Sequence, residues 1–170
     1  METRDALRAR RQVRDYTDEP VDDEVLRAVL EAGRRSPSAK NWQRWDFVVI
    51  TDADAKATMA ETWPGAWFVV NAPVVVALVA PKVEPAMQLS VEYDLGQAAA
   101  AMLTAAADLG LGSGQSSSRN DELARSVLGF PDDRYCAHLL TFGHPADRPI
   151  RPIENPDRRP FDEVVHYGTW

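Results

Sequence analysis

The chain has 170 residues, 45% apolar and 26% charged, with 12 prolines and 9 glycines, which suits one globular domain and excludes disordered or collagen-like chains. Its net charge of −7 speaks against a general nucleic-acid binder, and its lone cysteine, Cys136, excludes an internal disulfide or a multi-cysteine zinc site. No stretch approaches the ~18 uninterrupted apolar residues of a membrane span, and the highly charged METRDALRARR start has no apolar signal core, so a cytoplasmic protein with no membrane partner is expected.

Thr3 is placed to cap a first helix running to Arg10, and residues 10–16 read as an exit turn. Asp22 is a plausible N-cap for a second helix over 23–35, with Leu26, Val29, Leu30 and Gly33 at helical spacing. Residues 36–41 form a polar loop, because Pro37 disfavours helix at Ser36. The β-branched and aromatic run 46–51 reads as a buried strand, followed by a weak helix over 54–63. The run 74–80 is apolar on both faces and should be a central strand.

Residues 88–109 give the strongest helical signal. Val91, Leu95, Ala98, Met102 and Ala106 form one stripe, and further alanines leave almost no polar face, so the helix is expected to be buried. Asn120 can cap a helix to Leu128, which Gly129 and Pro131 end. Tyr135 to Phe142 is a further strand. Residues 145–160 carry five prolines and are expected to be extended; a short apolar piece at 161–167 follows. The organisation is one α+β domain over 1–170 with residues 145–170 as a C-terminal arm. The apolar side chains of that arm need cover from their own subunit or from a partner.

Charge is unevenly placed. Residues 1–14 hold five arginines and residues 148–159 hold four, so nine of the 19 basic residues lie in two terminal segments. Guanidinium forks suit phosphate and carboxylate groups, so one anion site results if the two segments meet; otherwise they are solvated termini. No GxSxG elbow, HExxH, Walker loop or strand-borne GxGxxG is present. The three histidines lack metal-ligand spacing, no metal is expected, His138 reads as a satisfied core or surface histidine, and Cys136 as a buried, inert thiol. An enzyme without its own nucleophile or metal takes its reactive group from a cofactor.

The ordered string Arg10-Arg11-Gln12-Val13-Arg14-Asp15-Tyr16, then Pro20-Val21, then Ser36-Pro37-Ser38-Ala39-Lys40-Asn41-Trp42-Gln43-Arg44-Trp45 resembles the opening of the flavin-dependent nitroreductase family. Asp94-Leu95-Gly96, Leu109 to Ser113, Gly143-His144-Pro145 and the tail Arg158 to His166 continue the resemblance over nearly the whole chain. It implies an α+β nitroreductase-like fold. A mixed central sheet and surrounding helices pack around the long alanine-rich helix, and the C-terminal arm is exchanged in a homodimer. It implies FMN at the dimer interface and NAD(P)H as electron donor, with flavin N5 rather than a side chain carrying the chemistry. The implied acceptor is a small aromatic or quinone-like substrate.

By position the resemblance assigns Arg10, Arg11, Gln12 and Arg14, with Arg158 and Arg159, to the phosphate end of FMN. Pro37, Ser38 and Asn41 match the loop along the flavin, and the loop at Gln115, Ser116 and Ser117 matches a segment offering a backbone N–H toward N5. Four departures stand out. Gln12 replaces a serine, Arg44 a proline, and the Gly114–Ser118 segment a cysteine-tryptophan motif. The asparagine and lysine expected near the flavin pyrimidine have no clear match. Hydride transfer from NAD(P)H to a quinone or nitroaromatic, in ping-pong order, is the function implied. Specialised flavin chemistry (dehalogenation, azoline oxidation, flavin cleavage) and a non-catalytic flavin-binding protein are the alternatives. Trp63, Trp67 and Phe68 read either as a wall for an aromatic substrate or as dimer core.

Overall fold

In the computed structural model, which describes residues 1–170, the elements run α1 Thr3–Ala9, α2 Asp23–Arg34, β1 Asp46–Ile50, α3 Ala53–Ala60, β2 Val74–Pro81, α4 Pro85–Asp108, β3 Gly112–Ser117, α5 Asp121–Leu128 and β4 Arg134–Gly143. Short 3-10 helices lie at Ala39–Asn41, Pro64–Asn71 and Phe161–Glu163. The apolar run from Val74 is a central strand, as its composition predicts, and is buried from Val74 to Ala80. The sheet order is β1-β2-β4-β3.

The two sheet faces carry separate cores. Val76, Leu78, Leu140 and Phe142 pack on Val91, Leu95, Ala98 and Met102 of α4 and on Val29 of α2. On the opposite face, Val75, Ala77, Val79 and Leu139 pack on Met59 of α3, Ala124 of α5 and Val69 of the Pro64–Asn71 turn. The alternation follows from the two-residue period of a strand buried on both sides. Asp22 caps α2 by accepting from the N–H groups of Glu24 and Val25. Asn120 caps α5, and Gly129 ends it at φ 68° in the left-handed region that favours glycine.

Several expectations are corrected. All four strands pair antiparallel, and the parallel component of the expected mixed sheet is a single bridge between Gln12 and Ser113. The first strand is not buried: β1 is a sheet edge, and Asp46 and Val49 are exposed. Thr3 lies inside α1, which has no side-chain cap. The segment Gly112–Ser117 is a strand rather than a loop. Its glycines and serines carry no intrinsic strand preference, and pairing with β4 overrides that local signal.

The long helix begins at Pro85, and within one chain it is not covered all round. Leu89 is 81% exposed and Tyr93 70%, and the same stripe continues through the exposed Gly96 and Ala100. The arm leaves the domain after two ties, from Ala146 N–H to the Asp15 carbonyl and from Ile153 N–H to the Arg8 carbonyl. Ile150 is buried against Ala9, Val13 and Ala107. Beyond it, Phe161, Val164, Tyr167 and Trp170 are exposed. No helix is long and apolar enough to cross a membrane.

Candidate functional site

The segment from Arg10 to Tyr16 leaves α1 and is pinned along the free edge of β3. Val13 N–H donates to the Ser113 carbonyl at 2.8 Å. The Gln12 carboxamide then closes on the backbone of Gln115, accepting from its N–H and donating to its C=O, each at 3.1 Å. Tyr16 fixes the segment from below: its hydroxyl donates to the Val13 carbonyl at 3.0 Å and shares a 2.7 Å hydrogen bond with Thr141. Burial pushes that phenol above its ordinary pKa. The close approach depends on Gly114, where a Cβ would lie 2.6 Å from both the Val13 carbonyl and Thr141 Oγ1.

Pinning Val13 inward sets the fate of the arginines around it. Arg10 and Arg14 have no carboxylate within ion-pair distance, whereas Arg11 pairs with Asp147 at 2.6 Å. Arg11 also donates to the Arg148 carbonyl at 2.8 Å, so it ties the box to the root of the arm. Its guanidinium holds the Asp147 carboxyl below the usual range. The Arg14 guanidinium lies 5.6 Å from the centroid of the Phe68 ring. A cavity of about 340 Å³ opens here between Arg11, Gln12, Arg14, Trp67 and Asp147. Asn71 reaches the same place, its amide donating to the Arg14 carbonyl at 3.1 Å.

The register of β3 makes a second feature. Ser118 N–H bonds to the Ala137 carbonyl, so the even-numbered residues of the strand pair with β4 and the odd-numbered ones direct their backbone groups outward. Ser113 and Gln115 are then occupied by Val13 and Gln12. Ser117 is the next in the series, and its N–H faces the open edge immediately past the Gln12 clamp.

The loop at Pro37, Ser38 and Asn41 is held elsewhere. Ala39 N–H donates to both oxygens of Asp94, each at 3.1 Å, and Asp94 is buried in α4. Ser38 Oγ accepts from Gln43 N–H at 2.9 Å. Lys40, Asn41 and Gln43 all adopt positive φ, at 50°, 56° and 52°. No hydrogen bond joins this loop to the arginine box within one chain. Arg158 and Arg159 are also apart from the box. Their bonds are local, to the Asp157 carbonyl and to Glu163.

The structure therefore unites Gln12, Gln115, Ser116, Ser117 and Arg14 along one strand edge, with Arg10 at the end of α1 leading into it. It leaves Pro37, Ser38, Asn41, Arg158 and Arg159 unjoined to that edge. Sequence reasoning missed Asn71 and Asp94 as individual contributors. A single carboxylate on the inward stripe between Val91 and Leu95 was the available signal for Asp94. Asn71 ends an irregular turn and carries no periodic signal.

Comparison with known proteins decides the kinship. The sequence model of the nitroreductase family matches residues 7–70 and 62–144. The chain belongs to the nitroreductase family. It is 29% identical to a Thermus thermophilus protein named NADH dehydrogenase, over 86% of this chain and 88% of that one. It is 27% identical to the FMN reductase [NAD(P)H] of Bacillus subtilis, over 97% of this chain and 73% of that one. Among solved structures, a Parabacteroides distasonis protein assigned as an NADH dehydrogenase/NAD(P)H nitroreductase superposes with a TM-score of 0.86 at 25% identity, covering 100% of this chain and 99% of that one. The nitroreductase fold expected from the sequence is the fold observed.

Proposed function

We infer that this nitroreductase-family chain is an FMN-dependent NAD(P)H oxidoreductase, acting as a homodimer on a quinone, nitroaromatic or similar electrophilic acceptor. The observation that carries the reading is the Gln12–Gln115 clamp. It sets two arginines free of carboxylates and one open backbone N–H along a single strand edge. The names of the Bacillus and Thermus relatives support the cofactor and the donor.

The residues present fit FMN. The gap at Gly114 that a Cβ would fill brings the box against β3. Arg10 and Arg14 supply the charge that a phosphate dianion requires, each charge-assisted bond contributing ~1.5–3 kcal/mol. Gln12, Asn71 and the cavity beside Trp67 offer amide groups and an aromatic edge to the ribityl chain and the pyrimidine. Bound FMN would supply hydride-transfer chemistry at N5 between NAD(P)H and the acceptor. Ser117 N–H would be the donor that orients N5. No protein nucleophile is required, and Cys136 is buried with its thiol pushed up to about 12.

The second subunit completes the site in this reading. The exposed stripe of Leu89, Tyr93, Gly96 and Ala100 on α4, and the apolar end of the arm, are the surfaces it covers. The partner contributes the Pro37, Ser38 and Asn41 loop along the flavin, and the exchanged arm brings Arg158 and Arg159 to the phosphate. Arg11 is left to hold the arm root.

The test is steady-state oxidation of NADH and NADPH by the FMN-loaded protein with menadione or a nitrofuran. Turnover with parallel lines in double-reciprocal plots is the expected result. Retained flavin without oxidation of either nicotinamide contradicts the reading and leaves a flavin-binding protein.

A further inference from the structure

Two cations lie on one exposed ring where the Pro37–Asn41 loop runs on toward β1. The Arg44 guanidinium sits 3.8 Å from the centroid of the Trp42 ring, and the Lys40 ammonium 4.9 Å from it. Trp42 is 42% exposed, so the pair faces solvent rather than a core. The two charges stand no farther apart than those two distances laid end to end. A single phosphate, with one oxygen toward each cation, spans that gap.

Neither cation is neutralised. Arg34 and Arg35, close by in sequence, are both held by Glu31, at 2.6 and 2.8 Å. Lys40 and Arg44 have no such carboxylate, and residues 32–45 contain no aspartate or glutamate in a chain that carries 26. The carboxylate that holds the loop, Asp94, is buried behind it and occupied by the Ala39 N–H. The placement is also enforced. Lys40, Asn41 and Gln43 take positive φ, which costs a non-glycine residue and is maintained here by Asp94 and by Ser38 Oγ. The turn folds Lys40 and Arg44 back onto the ring between them. Stacking fixes the plane of the guanidinium fork and leaves its N–H edge free.

We propose that Lys40 and Arg44 bind the 2′-phosphate of the nicotinamide donor and so select NADPH over NADH. The proposal rests on the flavin reading above, in which the Pro37, Ser38 and Asn41 loop lies along the flavin ring of the other subunit. A nicotinamide stacked on that ring leaves its phosphates to trail across the rim, where Lys40 lies between Ser38 and Asn41. The FMN phosphate is met elsewhere, by Arg10 and Arg14. A monoester phosphate carries about −1.5 to −2 charges at pH 7 and calls for more than one cation. A carboxylate on the ribose hydroxyls favours NADH, whereas an arginine accommodates the 2′-phosphate. This turn offers the arginine and no carboxylate. The pyrophosphate, common to both donors, is ordinarily met by free N–H groups at a helix N-terminus, and here Asp94 takes the Ala39 N–H. Arg44 stands where the family resemblance leads one to expect proline, so the pair is a feature of this chain.

The experiment uses oxidised, FMN-loaded protein with NADP+ and NAD+, so that no hydride moves, and measures affinity by calorimetry. The flavin spectrum after desalting is recorded first: if the native protein retains no flavin, the flavin reading itself is overturned and this assignment with it. With flavin retained, NADP+ is expected to bind at least about tenfold more tightly than NAD+. Arg44→Ala and Lys40→Ala each keep FMN and lose about tenfold in NADP+ affinity, with NAD+ changed by less than about twofold. Arg4→Ala, which removes one exposed charge from α1, leaves both affinities in place. In turnover the Lys40 and Arg44 variants raise KM for NADPH at unchanged kcat. Equal weakening of NADP+ and NAD+ gives the pair to the pyrophosphate and overturns the selection. Unchanged NADP+ affinity in both variants overturns the assignment outright, as does loss of FMN from either folded variant, which gives the pair to the flavin.

Discussion

The side chain of Gln12 pairs with both backbone groups of Gln115, 103 residues away, in the manner of one more strand residue. A serine at this position is too short to span the gap, so the longer side chain replaces a local contact with a clamp. Gln12→Ala leaves Gln115 to solvent and loosens the box. FMN affinity is expected to fall about tenfold, or ~1.4 kcal/mol, by fluorescence titration, with little change in fold by circular dichroism.

The two kinds of arginine in the box separate by experiment. Arg10→Ala is expected to weaken FMN by about tenfold or more while leaving riboflavin, which lacks the phosphate, within about threefold. Arg11→Ala acts on the arm instead. Asp147 has its pKa depressed by Arg11, so the ionised pair is intact above the ordinary carboxylate range and is lost as pH falls through the lowered value, below about pH 4. Proteolysis of the arm against pH reads this directly, and Arg11→Ala should remove the dependence.

Gly114→Ala forces a methyl into contact with the Val13 carbonyl and Thr141 at 2.6 Å, and with the Phe68 ring at 2.9 Å. All three neighbours are backbone or fully buried side chains, so relief requires the box to move off β3. Urea unfolding should show a loss of about 2–3 kcal/mol, with FMN binding lost even where the chain still folds.

Removal of residues 154–170 deletes the part of the arm beyond its last tie to the domain, at Ile153. The truncated chain is expected to fold and to elute as a monomer, with FMN affinity weakened about a hundredfold by loss of Arg158 and Arg159. An unchanged dimer in light scattering contradicts the exchanged arm.

Cys136 gives a pH prediction at the alkaline end. Burial pushes its thiol up to about 12, against an ordinary value of about 8.5 in the unfolded chain. The unfolded chain therefore loses its proton first, and stability falls as pH rises from about 8.5 toward 12. Cys136→Ala should flatten that decline in urea midpoints. Native protein should resist iodoacetamide at pH 8 until it is unfolded.

Much of this was legible in the residues. Asp22 and Asn120 announced helix starts because their side chains satisfy amide groups locally, and Val74 to Ala80 announced a strand buried on both faces. The Gly112–Ser117 strand was not legible, since glycine and serine join a sheet only because His138–Gly143 and Gln12 pair with them. The exposed stripe of α4 was hidden for a related reason: an alanine-rich helix face reads the same in sequence whether it lies at the surface or in the core. Five predicted cofactor residues, Gln12, Arg14, Gln115, Ser116 and Ser117, came to one edge, because a strand lines up what the chain separates. Pro37, Ser38, Asn41, Arg158 and Arg159 lie apart from that edge within one chain, and only the proposed second subunit would bring them to it.

The most direct measurement of the central claim is the visible spectrum of the protein mixed with FMN and desalted, beside Arg14→Ala treated in the same way. The account predicts perturbed flavin bands near ~370 and ~450 nm that the native protein retains and the variant loses. Equal retention by both proteins contradicts the phosphate grip, and no retention by the native protein contradicts the flavin site itself.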